Sequence, residues 1–131
     1  MTAADVASGE GKNGSAYPLV PFSNRIKDGR LVFGTETFQL KRNWPGVNHP
    51  MHGDGWSHAW QVVRSDAQSA EIVYEHERAG DDGGWPFRYR ARQSYRLESD
   101  RLILTMALDN LEDRAVPAGL GIREARGVSP L

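Results

Sequence analysis

Apolar and polar positions alternate with a period of two along most of this chain, the pattern of strands that bury one face. Leu31-Val32-Phe33 and Thr37-Phe38-Gln39-Leu40 flank Gly34-Thr35-Glu36, which reads as a hairpin closed at a glycine turn. Ala59 to Arg64 and Ala70 to His76 read as two short strands separated by the polar turn Ser65-Asp66-Ala67-Gln68. The longest pair runs from Phe87 to Leu97 and from Leu102 to Leu111, joined at Glu98-Ser99-Asp100-Arg101. In its first strand Phe87, Tyr89, Ala91, Tyr95 and Leu97 point one way, and Arg88, Arg90, Arg92 and Arg96 the other. Leu102, Leu104, Met106 and Leu108 line one face of its partner. No window carries a helical period. Short strands at this spacing predict an all-β fold, an antiparallel β-sandwich.

Two loops break the alternation. Glu77 to Pro86 turns at Asp81-Asp82-Gly83-Gly84, and Lys41 to Ser57 is a longer loop with two prolines, three glycines and two asparagines. Loops of that length inside a compact domain are often functional. This one contains Asn48-His49-Pro50-Met51-His52-Gly53-Asp54-Gly55-Trp56. Imidazole exchanges protons near neutrality, glycines let the backbone approach a ligand, and an indole offers an apolar face with a polar N–H. The segment reads either as a site for a polar small molecule or as a turn with two solvated histidines.

A second segment separates these readings. Tyr17-Pro18-Leu19-Val20-Pro21-Phe22-Ser23-Asn24-Arg25-Ile26-Lys27-Asp28-Gly29 resembles the Pro-x-x-Asn-Arg-Ile stretch of the aldose 1-epimerase (galactose mutarotase) family. That family carries a His-Gly segment some tens of residues later, like His52-Gly53 here. Trp85-Pro86-Phe87, the Tyr89-to-Leu97 strand and Pro117-Ala118-Gly119-Leu120-Gly121-Ile122 follow in the family's order. The resemblance implies an antiparallel β-sandwich of the galactose mutarotase-like type, of which the chain supplies only part. It gives three spans: a disordered tail at 1–16, a partial mutarotase-like β domain at 17–122, and a divergent tail at 123–131. After the Gly-Leu-Gly stretch the family has a second histidine, where this chain has Arg123. The family's catalytic glutamate has no counterpart here, and Glu124 sits in the divergent stretch.

What the resemblance implies is interconversion of the α and β anomers of free hexoses by acid–base catalysis. A base removes the proton of the C1 hydroxyl while an acid protonates the ring oxygen. His52 matches the first family histidine and is the expected catalytic residue. Arg25 matches the arginine expected to hold sugar hydroxyls, which a five-donor fork suits; the weaker alternative is an ion pair with Asp28. Asn24 either bonds a hydroxyl or caps the turn, and Trp56 either stacks on the sugar or closes the loop onto the core. His49 and His58 read as structural or merely nearby, His76 as a surface residue and Trp85 as packing at a sheet edge. A metal site from His49, His52, His58 and Asp54 is set aside, because its spacing fits no closed zinc site and mutarotases need no metal. A phosphate site on the arginine row is set aside too, since a charged row at period two is ordinarily a solvent face. No cofactor is expected.

Composition narrows the partners. The 131 residues suffice for one core, and a net charge of −1 gives no reason to expect nucleic acid or an anionic membrane. The mean hydropathy of −0.58 suits a soluble chain, and no apolar run approaches membrane-spanning length. There are no cysteines, and Met1 to Ala16 has no apolar signal core, so the expected location is the cytoplasm. The expected ligand is an aldohexose of galactose or glucose type. With partner strands missing, open strand edges invite self-association. The competing reading is a non-catalytic carbohydrate-binding remnant of a mutarotase; a purely structural β domain is the third.

Overall fold

A computed structural model describes residues 16–78 and 82–124. Of the tails expected at 1–16 and 123–131, residues 1–15 and 125–131 lie outside the described residues. Among the described residues eight strands follow in order: β1 (Ala16–Leu19), β2 (Arg30–Phe33), β3 (Glu36–Gln39), β4 (Gln61–Ser65), β5 (Ser69–His76), β6 (Tyr89–Leu97), β7 (Leu102–Asn110) and β8 (Gly121–Glu124). Single 3-10 turns at Lys27–Gly29 and Gly55–Ser57 are the helical pieces among the described residues. β4, β5, β6 and β7 form a four-stranded antiparallel sheet in chain order, and β2 and β3 form the hairpin expected at the Gly34 turn. These strands begin and end within two residues of the expected positions.

The third pair, β1 with β8, was not legible as strands. Tyr17 lies opposite Arg123 and Leu19 opposite Gly121, so the two ends of the described chain meet. Pro18 within β1 and Gly121 at the start of β8 are poor strand formers, and the pairing rests on contacts about a hundred residues apart in sequence. Arg123 and Glu124 therefore stand in a strand.

The core sits where the alternation places it, at one end of β5 and β6. Tyr89 and Ala91 are buried, with Tyr74 from β5 and Phe87 just before β6. Phe87 meets Phe38, Phe33 and Trp85 edge-on at 5.1, 6.3 and 5.8 Å between ring centroids, the geometry aromatic quadrupoles favour. Trp85, expected at a sheet edge, is instead a core residue packed between Phe22 and Phe87. The apolar face does not continue along the hairpin. Leu97 and Leu102 are 54% and 61% exposed, because the tip of β6–β7 runs past the elements that cover its base.

The opposite face of β6 carries the arginine row, and neighbouring acids pair with it. Arg90 pairs with Glu75, Arg92 with Asp109, Arg96 with Glu98, and Arg88 with Glu112. The β5–β6–β7 register makes the first two pairs, since Arg90 lies between Glu75 and Asp109. A row neutralised by its own sheet is a solvent face, as expected.

Candidate functional site

The two segments singled out in the sequence lie side by side. Residues 24–26 run antiparallel to residues 50–52: Ile26 N–H donates to Pro50 O (3.1 Å), Arg25 bridges Met51, and His52 N–H donates to Asn24 O (2.8 Å). On the other side Val20 bridges Gly53, and its carbonyl accepts from the amides of Asp54 and Gly55. The loop is thus stitched between the extension of β1 and the Asn24–Ile26 stretch. The approach is so close that a β-carbon on Gly53 would stand 1.8 Å from Val20 O.

His52 is 9% exposed and has φ of +63°, a left-handed backbone that a side-chain-bearing residue seldom adopts. Asn24, at φ +66°, donates its backbone N–H to His52 Nδ1 at 3.1 Å. A nitrogen that accepts an amide proton carries none, so the ring proton sits on Nε2. Burial, then the charges of Arg123 and Arg25, push the imidazole below its ordinary pKa. His52 is therefore a neutral donor through Nε2 at physiological pH, with Nδ1 unavailable as a base.

Arg25 is exposed and makes no ion pair with Asp28 among the described residues. Asp28 instead donates its amide to His49 Nδ1 at 2.9 Å, so His49 supports the turn. Asn24 acts through its main chain. The Trp56 indole donates Nε1–H to Gly53 O at 3.1 Å and packs beside Trp44 at 5.0 Å and Tyr17 at 6.4 Å. Its polar handle closes the loop, while its ring stands against the β1 side. Asn24, Arg25 and His52 are brought together, and Trp56 is tied to them through Gly53.

Asp54 is the residue the sequence underrated. Its carboxylate accepts from Tyr89 Oη (2.5 Å), Tyr74 Oη (3.0 Å) and His76 Nδ1 (2.5 Å). His76 Nε2 meets Trp85 O at 3.0 Å. The Asp54 carboxylate at Nδ1 and the Trp85 carbonyl at Nε2 are acceptors, so the surroundings favour a proton on each ring nitrogen of His76. The surface role expected for His76 is thereby corrected, since its side chain is only 11% exposed. Burial acts against the charge on both partners. The His76 hydrogen bond and charge, with the two tyrosine hydroxyls, nevertheless hold Asp54 below the usual carboxylate range. The Asp54 carboxylate and the Trp85 carbonyl hold His76 above the ordinary imidazole value. Burial, then the charge of Asp54, push Tyr74 and Tyr89 up. Register makes the cluster: Tyr74 and His76 are two apart on one face of β5, and His76 lies opposite Tyr89. A cavity of about 370 Å³ opens beside it, lined by Phe22, Lys41, Asp54, His58, His76 and Trp85, and not by His52 or Arg25. Among the described residues no set of three His, Cys, Asp or Glu side chains is gathered to hold a metal.

An open antiparallel fold with this His-Gly loop is of the galactose mutarotase-like type. The sequence model of the aldose 1-epimerase family matches residues 4–125, and the chain belongs to that family. It is 36% identical over 123 residues to the uncharacterized protein YphB of Escherichia coli K12, a match covering 94% of this chain and 40% of that protein. The crystal structure of a candidate aldose 1-epimerase from Escherichia coli K12 superposes with a TM-score of 0.78 at 35% identity, covering 88% of this chain and 38% of that one. A galactose mutarotase-like protein of Clostridium acetobutylicum has the same fold, with a TM-score of 0.75 at 23% identity, covering 95% of this chain and 38% of that one. The chain thus spans about two-fifths of the length of these relatives.

Proposed function

We propose that the Asn24–Arg25 and Met51–Gly53 pair binds an aldohexose of galactose or glucose type and polarises its ring oxygen. The carrying observation is the Asn24 N–H bond to His52 Nδ1, which leaves Nε2–H as the ring's donor. A neutral imidazole polarises an oxygen without giving its proton away outright. The Arg25 fork suits two vicinal hydroxyl oxygens. Trp56 adds an apolar wall for the sugar ring, its N–H remaining on Gly53.

In the family's reaction a base must also take the C1 hydroxyl proton. The charges acting on His52 are those of Arg123 and Arg25, both positive, and Asp54 is held by two tyrosines and His76. This chain therefore holds the donor half of the acid–base pair, which favours weak carbohydrate binding over turnover. Few hydroxyls are engaged, and each net hydrogen bond contributes about 1 kcal/mol, so affinity is in the millimolar range. Titration with galactose and with glucose should shift the His52 ring resonances and tryptophan fluorescence, and Arg25→Ala should abolish both responses. If neither sugar moves any signal at saturating concentration and Arg25→Ala behaves like the parent chain, the assignment is wrong.

A further inference from the structure

The left-handed backbone at His52 needs a cause, because nothing in an isolated turn favours it over the ordinary regions. Such a conformation persists only where the surroundings over-determine it. The surroundings here converge on one side chain. Asn43, in the loop after β3, donates Nδ2–H to Met51 O and to Gly53 O, each at 2.7 Å, and its Oδ1 accepts from Met51 N–H at 2.8 Å. These are the residues on either side of His52. One carboxamide thus clamps the chain before and after the imidazole, with both donors and its acceptor engaged. Asn43 is itself placed by its neighbours: Leu40 N–H donates to Gly29 O at 2.8 Å and Lys41 N–H to Gly83 O at 2.6 Å.

We infer that Asn43 is a positioning residue for His52, clamping Met51 and Gly53 so that Nδ1 meets the Asn24 amide and Nε2 is left as the donor. The inference rests on the reading of His52 as the site's donor. Its test is made on the ring without any sugar, so a failure of sugar binding leaves the outcome intact.

No other side chain can replace the clamp without rearrangement. Aspartate keeps an acceptor for Met51 N–H but loses both donors and turns a negative charge on two carbonyls. Alanine removes all three bonds. In either variant the Asn24–His52 hydrogen bond should loosen, and the ring should regain solvent and a protonatable Nδ1.

The experiment uses the full 131-residue chain, labelled with 15N, followed by NMR. In the parent chain the Asn43 carboxamide protons should exchange with solvent more slowly than those of Asn48, which is exposed in the same loop. In Asn43→Ala and Asn43→Asp, exchange of the Asn24 amide should speed up by about five- to tenfold, the equivalent of one net hydrogen bond. The His52 titration midpoint should rise toward the ordinary imidazole value. Asn48→Ala should change none of these. An Asn43 variant that folds with the Asn24 exchange rate and the His52 midpoint of the parent overturns the inference. Should both variants fail to fold, fast exchange of the Asn43 carboxamide in the parent overturns it equally, and slow exchange supports it.

Discussion

His76 Nδ1 lies 2.5 Å from Asp54 Oδ2, and the second nitrogen of the same ring meets the Trp85 carbonyl at 3.0 Å. This buried ion pair joins the His52 loop to the end of β5. Tyr74 and Tyr89 complete the hydrogen bonding of the carboxylate, which is the condition for a buried charge to be tolerated. Asp54 is two residues from His52, so the pair anchors one end of the site.

The pair predicts a bounded pH window of stability. His76 is raised, so its contribution is complete below about pH 6.5 and is lost as pH rises through the folded value. Asp54 is lowered, so its contribution is complete above about pH 3.9 and is lost as pH falls through the folded value. His52 has the opposite sign to His76: its folded value is depressed, so stability erodes as pH falls below about 6.5. His76→Gln should destabilise the chain by roughly 3 kcal/mol, the usual result of breaking a buried pair. It should also remove the alkaline-side loss while keeping the His52 slope. Urea unfolding from pH 5 to 9 checks both; equal slopes above neutrality in parent and variant would count against the pair.

Gly53 predicts a second sensitive position. At φ +68°, with Val20 O where a β-carbon would go, alanine brings both backbone strain and a collision with main chain. Gly53→Ala should cost more than about 1 kcal/mol. It should also displace the His52 resonances, because Gly53 carries one arm of the Asn43 clamp. Gly34→Ala is the comparison: its φ is +60°, but nothing lies within 4 Å of the added carbon, so the strain acts alone. Thermal unfolding should rank Gly53→Ala well below Gly34→Ala.

The contrast between legible and hidden features is itself physical. β5, β6 and β7 were legible because Tyr89, Ala91 and their neighbours alternate on a half-buried surface. His52 and Arg25 were legible because short motifs keep their residues adjacent in sequence. The Asp54 cluster was hidden because its partners lie 20 to 35 residues from Asp54, and the β5–β6 register is what brings Tyr74, His76 and Tyr89 together. The adjacency of Tyr74 and His76 on one strand face, with Tyr89 on the next strand, was the available signal. Asn43 had no such signal, since a lone asparagine in a turn-rich loop usually serves the turn itself.

The four-stranded sheet predicts association. Every residue of its edge strand β4 is exposed, with Val62 at 61% and Val63 at 50%. Leu102 opens on the other edge strand, β7. Unpaired edge groups beside exposed aliphatic side chains template pairing with another chain. The bulge between Val62 and Arg64 irregularises β4 and makes it the poorer template. Sedimentation at micromolar concentration should show reversible self-association, reduced by Leu102→Lys more than by Val62→Lys. A monodisperse monomer with a sharp cooperative melt would contradict this.

Catalysis is the final prediction, and it sets family membership against the residues at the site. Each positioned acid or base typically contributes about a hundred- to ten-thousand-fold. His52 has Nδ1 occupied by the Asn24 amide and a depressed pKa, so it donates a hydrogen bond but is a poor proton shuttle at neutral pH. Arg123, whose positive charge acts on that ring, offers donors and no acceptor, so it steadies charge without taking a proton. Among the described residues, the charges that act on the ring are positive and do not supply a base for the C1 hydroxyl. Polarimetry of α-glucose and α-galactose should show no acceleration of mutarotation beyond that given by free imidazole at equal concentration. Arg123→His supplies an imidazole but no carboxylate base, and should not restore turnover by itself. A saturable rate enhancement in the parent chain, abolished by His52→Ala, would mean that another group takes the hydroxyl proton.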